Sequence, residues 1–171
     1  MTTIETDRLI LRPPGEGDVP AIVRALEEDP DIAWFIPLIP TPYTEADARE
    51  WLAGIPGRFE TIREVPFAIT ERGAGEMIGS IAVRVHPQGS IGYWLRESLR
   101  GQGLTTEAVI AVVRWAAAEH GLHDLHLTTH PDNLASQRVA EKAGFVRGGM
   151  VVHEPPFGDG GMRALRYERP R

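Results

Sequence analysis

The hydrophobic and polar positions of this chain follow two periods in turn. RLILR, residues 8–12, has the alternation of a strand. DVPAIVRALEE, residues 18–28, puts apolar side chains at 19, 22, 23 and 26, the spacing of one helix face. Residues 29–44, DPDIAWFIPLIPTPYT, break the pattern with four prolines and predict a loop too long for a simple connector. Thr44 with Asp47 three residues on predicts a capping-box variant that opens a second helix, through residue 55. PFAIT (66–70), MIGSIAVRV (77–85) and SIGYWL (90–95) predict three strands, the first two joined by the turn ERGAGE. A helix is expected from Thr106 to His120, with 109, 112, 113 and 116 on its apolar face and Gly121 as its stop. LHLTT (125–129) predicts a strand, and NLASQRVAEKAG (133–144) a helix closed by Gly144. FVRGGMVVHE and MRALRYE predict two final strands. The order β-α-α-β-β-β-α-β-α-β-β is that of an α+β, or mixed α/β, fold with helices on the faces of a sheet. One domain over residues 1–171 suits the length, and no internal repeat divides it.

Composition narrows the chemistry. The chain has no cysteine, which excludes disulfides, a thiol nucleophile and Cys-ligated zinc. Lys142 is the only lysine, so a lysine nucleophile would have to be that residue. The net charge of −6 disfavours nucleic acid as a partner, which needs a basic face. The charged opening MTTIETDRLILRP is not a secretory leader, and no stretch is long and apolar enough to span a membrane. A cytoplasmic enzyme is the expectation.

The chemical signal lies in LRGQGLTTEA, residues 99–108. A predicted strand ends just before it and a predicted helix opens within it. Gly101 and Gly103 allow close backbone approach, Arg100 stands at the edge, and the helix starts with hydroxyl residues. Amides freed at a helix N-terminus, with the helix dipole behind them, bind anions, and a diphosphate suits this turn better than a lone carboxylate. The turn is not a P-loop, because no Gly-Lys-Ser/Thr follows, and it lacks the third glycine of the dinucleotide fingerprint.

RGQGLT resembles the acyl-CoA pyrophosphate loop of the GCN5-related N-acetyltransferases (GNAT), whose pattern is Gln/Arg-x-x-Gly-x-Gly/Ala. Arg100 takes its first position and Gly103 its fourth, while Thr105 stands where the family has Gly or Ala. TDRLILRP, GYWL, TTEA and NLASQRVAEKAGF resemble, in the same order, further blocks of the RimJ/RimL-type branch. The resemblance spans most of the chain. It implies a central mixed, mostly antiparallel twisted sheet, splayed at the CoA site and flanked by helices. It also implies acetyl transfer from acetyl-CoA to a primary amine in a ternary complex, with no metal.

By that resemblance the pantetheine arm lies between residues 91–95 and 125–129, with backbone amides near Trp94 and Leu95 bonding the thioester carbonyl. The diphosphate loop is Arg100, Gly101, Gln102, Gly103, Leu104, Thr105 and Thr106. Asn133 either caps its helix or also contacts pantetheine. Ser136, one turn on, resembles the residue placed near the CoA sulfur, as a hydrogen-bond donor to the thiolate; a lone helical serine is otherwise a solvated one. Lys142 either reaches the adenosine phosphates or faces the helix dipole. Glu154 is the candidate base, against the plainer reading of a solvated strand end, and alternation sends His153 to the opposite face. Glu107 is explained by the dipole of its helix, and Gly148 stands where many relatives carry Glu.

The acceptor is expected at the Pro-rich loop 30–43, where Trp34, Phe35 and Tyr43 either shape it or cover the core edge. An unperturbed α-amine, with a pKa near ~8, needs less help to become nucleophilic than a lysine near ~10.4. A protein N-terminus and small-molecule amines both remain open, and a homodimer is common in this branch. The competing reading is a non-catalytic module of the same fold that senses acyl-CoA.

Overall fold

In the computed structural model, residues 2–86, 89–153 and 162–170 are described. The strands are β1 (Ile4–Glu5), β2 (Leu9–Arg12), β3 (Glu64–Glu71), β4 (Met77–Arg84), β5 (Gly89–Leu95), β6 (Leu125–Thr129), β7 (Val146–His153) and β8 (Met162–Glu168). They form one sheet in the order β1-β2-β3-β4-β5-β6-β8-β7. Every pairing is antiparallel except β5–β6, which is parallel. The helices are α1 (Val19–Glu28), α2 (Pro30–Phe35), α3 (Glu45–Ala53), α4 (Ile55–Ile62), α5 (Leu104–His120) and α6 (Leu134–Lys142).

Alternation along the strands builds two cores, one on each face of the sheet. Phe67, Ile69, Ile81, Val83, Ile91, Leu95, Leu127 and Tyr167 turn to the face covered by α5, whose Val109, Val112, Val113 and Ala116 are buried against them. Ala68, Met77 and Trp94 turn to the other face, where Val19, Ile22 and Leu26 of α1 and Ala48 of α3 pack. The sheet is thus a wall with α5 and α6 on one side and α1 to α4 on the other.

Four elements depart from the sequence expectation, each for a local reason. The two residues of β1 are too few to show a period. The expected loop 30–43 begins with a helix, because Pro30 fits the first helical turn and the Asp29 carboxylate accepts from the Asp31 amide at 3.1 Å. The second expected helix divides at Gly54, because Pro56 lacks the N–H that would bond back into α3. The helix expected from Thr106 starts at Leu104, since Gly103 takes the left-handed conformation that ends the loop. The capping box is present: Thr44 Oγ1 accepts from the Asp47 amide at 3.3 Å and Asp47 Oδ2 accepts from the Thr44 amide at 2.7 Å.

Candidate active site

β5 and β6 pair only at Gly89–Leu125 and Ser90–His126, then part. The opening lies where residues 91–95 and 127–129 face each other, which is where the splay was expected. The Arg96 amide donates to the Ile78 carbonyl of β4 at 2.9 Å. Strand alternation then turns the Trp94 and Gly92 amides to β4 as well and leaves those of Tyr93 and Leu95 facing the opening. Of the two residues named from the sequence, Leu95 thus turns its amide to the opening and Trp94 turns its amide to β4; the second open amide is that of Tyr93. The Trp94 side chain packs against the α1 core, and that of Leu95 lies in the α5 core.

The glycine loop sits at the top of this opening. Gly101 and Gly103 have φ of 78° and 80°, a region L side chains rarely adopt. The Glu107 amide bonds to the Gly103 carbonyl at 3.0 Å as α5 begins, so the amides of Leu104, Thr105 and Thr106 have no partner within the helix. Gly103 brings no side chain to cap them. Thr105 lies within the first turn of α5.

Two arginines hold the loop from below. Arg8 donates through Nη1 to the Gln102 carbonyl at 2.9 Å and through Nε to Glu107 at 2.7 Å. Glu107 also accepts from the Thr6 hydroxyl at 2.6 Å and the Arg8 amide at 2.9 Å. Burial pushes the Glu107 carboxyl up, but these bonds outweigh it and hold it below its ordinary value. Its role is thus larger than the helix dipole alone. The Arg100 guanidinium donates to the buried Asp29 carboxylate and, at 3.1 Å, to the Leu95 carbonyl. This side chain ties the loop to the α1–α2 junction, and only its backbone belongs to the glycine turn.

Asn133 caps α6: its Oδ1 accepts from the Ser136 amide at 3.0 Å. Ser136 meets a residue the sequence reading passed over. The Tyr93 hydroxyl lies 2.9 Å from Ser136 Oγ and donates to the Ser136 carbonyl at 3.3 Å. Burial, opposed by the Ser136 hydrogen bond and aided by Tyr167, pushes the Tyr93 phenol up to about 12. Thr129, at the end of β6, is 6% exposed, and its Oγ1 has no hydrogen-bond partner among the described residues. Tyr93 and Thr129 were legible only as core strand positions, since nothing in GYWL or LHLTT distinguishes a site hydroxyl from a packed one.

Lys142 is exposed in the last turn of α6. Glu154 lies outside the described residues. Gly148 sits in the bulge of β7 between Arg147 and Met150. Tyr43 is buried in the α1 core, Phe35 packs its ring 5.8 Å from that of His130, and Trp34 is 70% exposed. Phe35 thus spans from α2 to the β6 side of the opening.

Residues 8–146 match the family described as "Acetyltransferase (GNAT) domain". The probable N-acetyltransferase YjcK of Bacillus subtilis is 34% identical over 114 residues, 64% of this chain and 63% of YjcK, so the match spans just under two thirds of that relative. The ribosomal-protein-serine acetyltransferase of Escherichia coli is 36% identical over 80 residues, 44% of this chain and 45% of its own. Among solved structures, that of RimL, a ribosomal alpha-N-protein acetyltransferase in complex with coenzyme A, superposes with a TM-score of 0.81 at 22% identity. It covers 98% of this chain and 97% of that one. Among the described residues, no helix is long and apolar enough to cross a membrane.

Proposed function

Because the chain belongs to the acetyltransferase (GNAT) domain family, in its RimJ/RimL-type branch, we propose that it transfers an acetyl group from acetyl-CoA to a primary amine. What carries the reading is the parting of β5 and β6 directly below a helix start whose first amides are free. A long ligand with an anionic end fits both features at once. The orphaned Thr129 hydroxyl inside the opening fits a ligand with polar groups along its length, as pantetheine has.

The residues divide the work by chemistry. The amides of Leu104, Thr105 and Thr106, with the backbone of Arg100, Gly101, Gln102 and Gly103, hold the diphosphate. The Tyr93 and Leu95 amides bond the arm and polarise the thioester carbonyl. When the Tyr93 hydroxyl donates its one proton to Ser136 Oγ, 2.9 Å away, the Ser136 proton is left to donate to the sulfur as the C–S bond breaks. Lys142 lies on α6 within the same half of the molecule and serves the adenosine phosphates. The whole chain acts as one domain. A protein N-terminus is the first acceptor class to test, since relatives acetylate ribosomal proteins and an α-amine needs the smallest shift to become neutral.

The test is calorimetric titration of acetyl-CoA, followed by an acetylation assay on a panel of a seryl-N-terminal peptide, a polyamine, free amino acids and an amino sugar. Binding that is lost in Gly103→Val, with transfer to at least one amine, supports the proposal. Binding with no transfer to any amine leaves an acyl-CoA-binding module. No binding in the wild type overturns both.

A further inference from the structure

The proton acceptor for the incoming amine remains to be placed, and the face of the sheet opposite the CoA side carries a candidate. Leu127 and Tyr167 belong to the α5 core, so their strand neighbours turn to the other face. On that face His126 stands opposite Glu168, and Thr128 opposite Arg166. Across β8, His153 stands opposite Met162 and therefore shares this face with Ala164 and Arg166. The His153 ring reaches over β8 to place Nε2 3.1 Å from Thr128 Oγ1. A larger residue than Ala164 on β8 would obstruct this reach.

Thr128 lies at the lip of the opening. Counting on from the Ser90–His126 pair, it is level with Gly92 of β5, on the same face. Gly92 is exposed, and a Cβ built there would meet nothing within 4 Å among the described residues. The hydroxyl is thus bordered by a strand position without a side chain, on the face away from α5 and the glycine loop, the side from which an amine would approach the thioester carbonyl.

We infer that Thr128 and His153 form the proton relay of the acetyl transfer, the Thr128 hydroxyl taking a proton from the ammonium as its own passes to His153 Nε2. The inference rests on the proposed function and goes beyond it by naming the base. The ammonium N–H breaks and the imidazole becomes imidazolium. The freed lone pair forms the C–N bond to the acetyl carbon, and the C–S bond breaks with its electron pair leaving on sulfur. The second proton lost by nitrogen balances the one gained by sulfur, and the proton on His153 returns to solvent.

The neighbouring charges allow this. Among the described residues, His126 of β6 interacts electrostatically with His153, and Arg166 and Glu168, paired with each other at 2.8 Å, lie on the same face of β8 beside His126. Burial, then Arg166, pushes the His126 pKa down, which disfavours a charge on His126 and leaves the relay's proton to His153.

The experiment uses the wild type with its best amine from the panel and the variants His153→Gln, Thr128→Val and Thr128→Ser. Losing a base costs on the order of 10²-fold in kcat/KM near neutral pH. His153→Gln should show that loss and lose the acid limb of its pH profile, with unchanged acetyl-CoA affinity by calorimetry. Thr128→Val should fall by about tenfold and Thr128→Ser should keep most of the rate, because serine restores the hydroxyl. His153→Gln with wild-type kcat/KM and an intact acid limb overturns the relay. If that variant does not fold, equal rates in Thr128→Val and Thr128→Ser overturn it instead. A wild type that binds acetyl-CoA but acetylates no amine in the panel removes the enzymatic reading itself, a result distinct from failure of the relay alone.

Discussion

Gly103 is fixed by its backbone angle and not by lack of room. A Cβ there would meet only Arg8 Nη2, at an ordinary 3.6 Å, but the φ of 80° costs an L residue roughly 1–2 kcal/mol. Asparagine tolerates this region better than alanine or valine. Acetyl-CoA affinity should therefore fall in the order Gly103→Asn, Gly103→Ala, Gly103→Val, and an equal loss in all three would point to side-chain crowding instead. Arg100 behaves differently. Replacing it leaves Asp29, 3% exposed, as a buried charge without its partner. Such breaks cost up to about 5 kcal/mol when both partners are buried, and about 1–3 kcal/mol is expected here because the guanidinium is partly exposed. Arg100→Ala should thus melt well below the wild type, and Asp29→Asn combined with it should recover part of the loss. An Arg100→Ala protein with an unchanged melting temperature would show that the pair contributes nothing.

At the scale of elements, α6 carries Ser136 to the proposed site, and Asn133 caps the start of that helix. Losing the cap costs about 1 kcal/mol, and serine largely replaces it. Asn133→Ala should be destabilised by that amount and Asn133→Ser should not. The two variants also separate the readings of this residue. If Asn133 only caps, Asn133→Ser keeps the wild-type KM for acetyl-CoA; if its amide also bonds the pantetheine arm, the KM rises while stability holds. The long periodic elements α1, α5, β3, β4 and β5 were legible in the sequence because burial on one face imposes their period. The break at Gly54 was not, because the helical period runs through it and only Pro56 marks the end of α3. α2 was hidden by four prolines that read as loop, although Pro30 is well suited to a helix start. The glycine loop was legible because a backbone requirement leaves a mark in residue type. The Tyr93–Ser136 contact was not, since it joins residues 43 apart that only the packing of α6 against the sheet brings together.

Across the whole molecule, the N-terminal strands and the glycine loop meet at Glu107. Its carboxylate gathers the Thr6 hydroxyl, the Arg8 amide and the Arg8 guanidinium, and Arg8 continues to the Gln102 carbonyl. β1, β2, the loop and α5 are thereby joined through one ionised group. The pKa of that group is lowered in the folded state, so its contribution is present above the unfolded value near 4.5 and is lost as pH falls through the folded value. Hydrogen bonds to charged groups contribute about 1.5–3 kcal/mol, and the lower end applies because Arg8 is half exposed. Glu107→Gln should therefore be less stable than the wild type at pH 7 by about 1–2 kcal/mol and lose less on acidification, so that the two stability curves converge once the pH has fallen through the lowered folded-state value. The same substitution loosens Arg8 from the loop, whose Gln102 carbonyl then lacks a fixed donor. Acetyl-CoA should bind several-fold more weakly at pH 7, although Glu107 lies outside the proposed diphosphate loop. Curves that stay parallel down to low pH would mean that another carboxylate dominates acid unfolding. Unchanged affinity would mean that the loop holds its shape without help from the N-terminal strands.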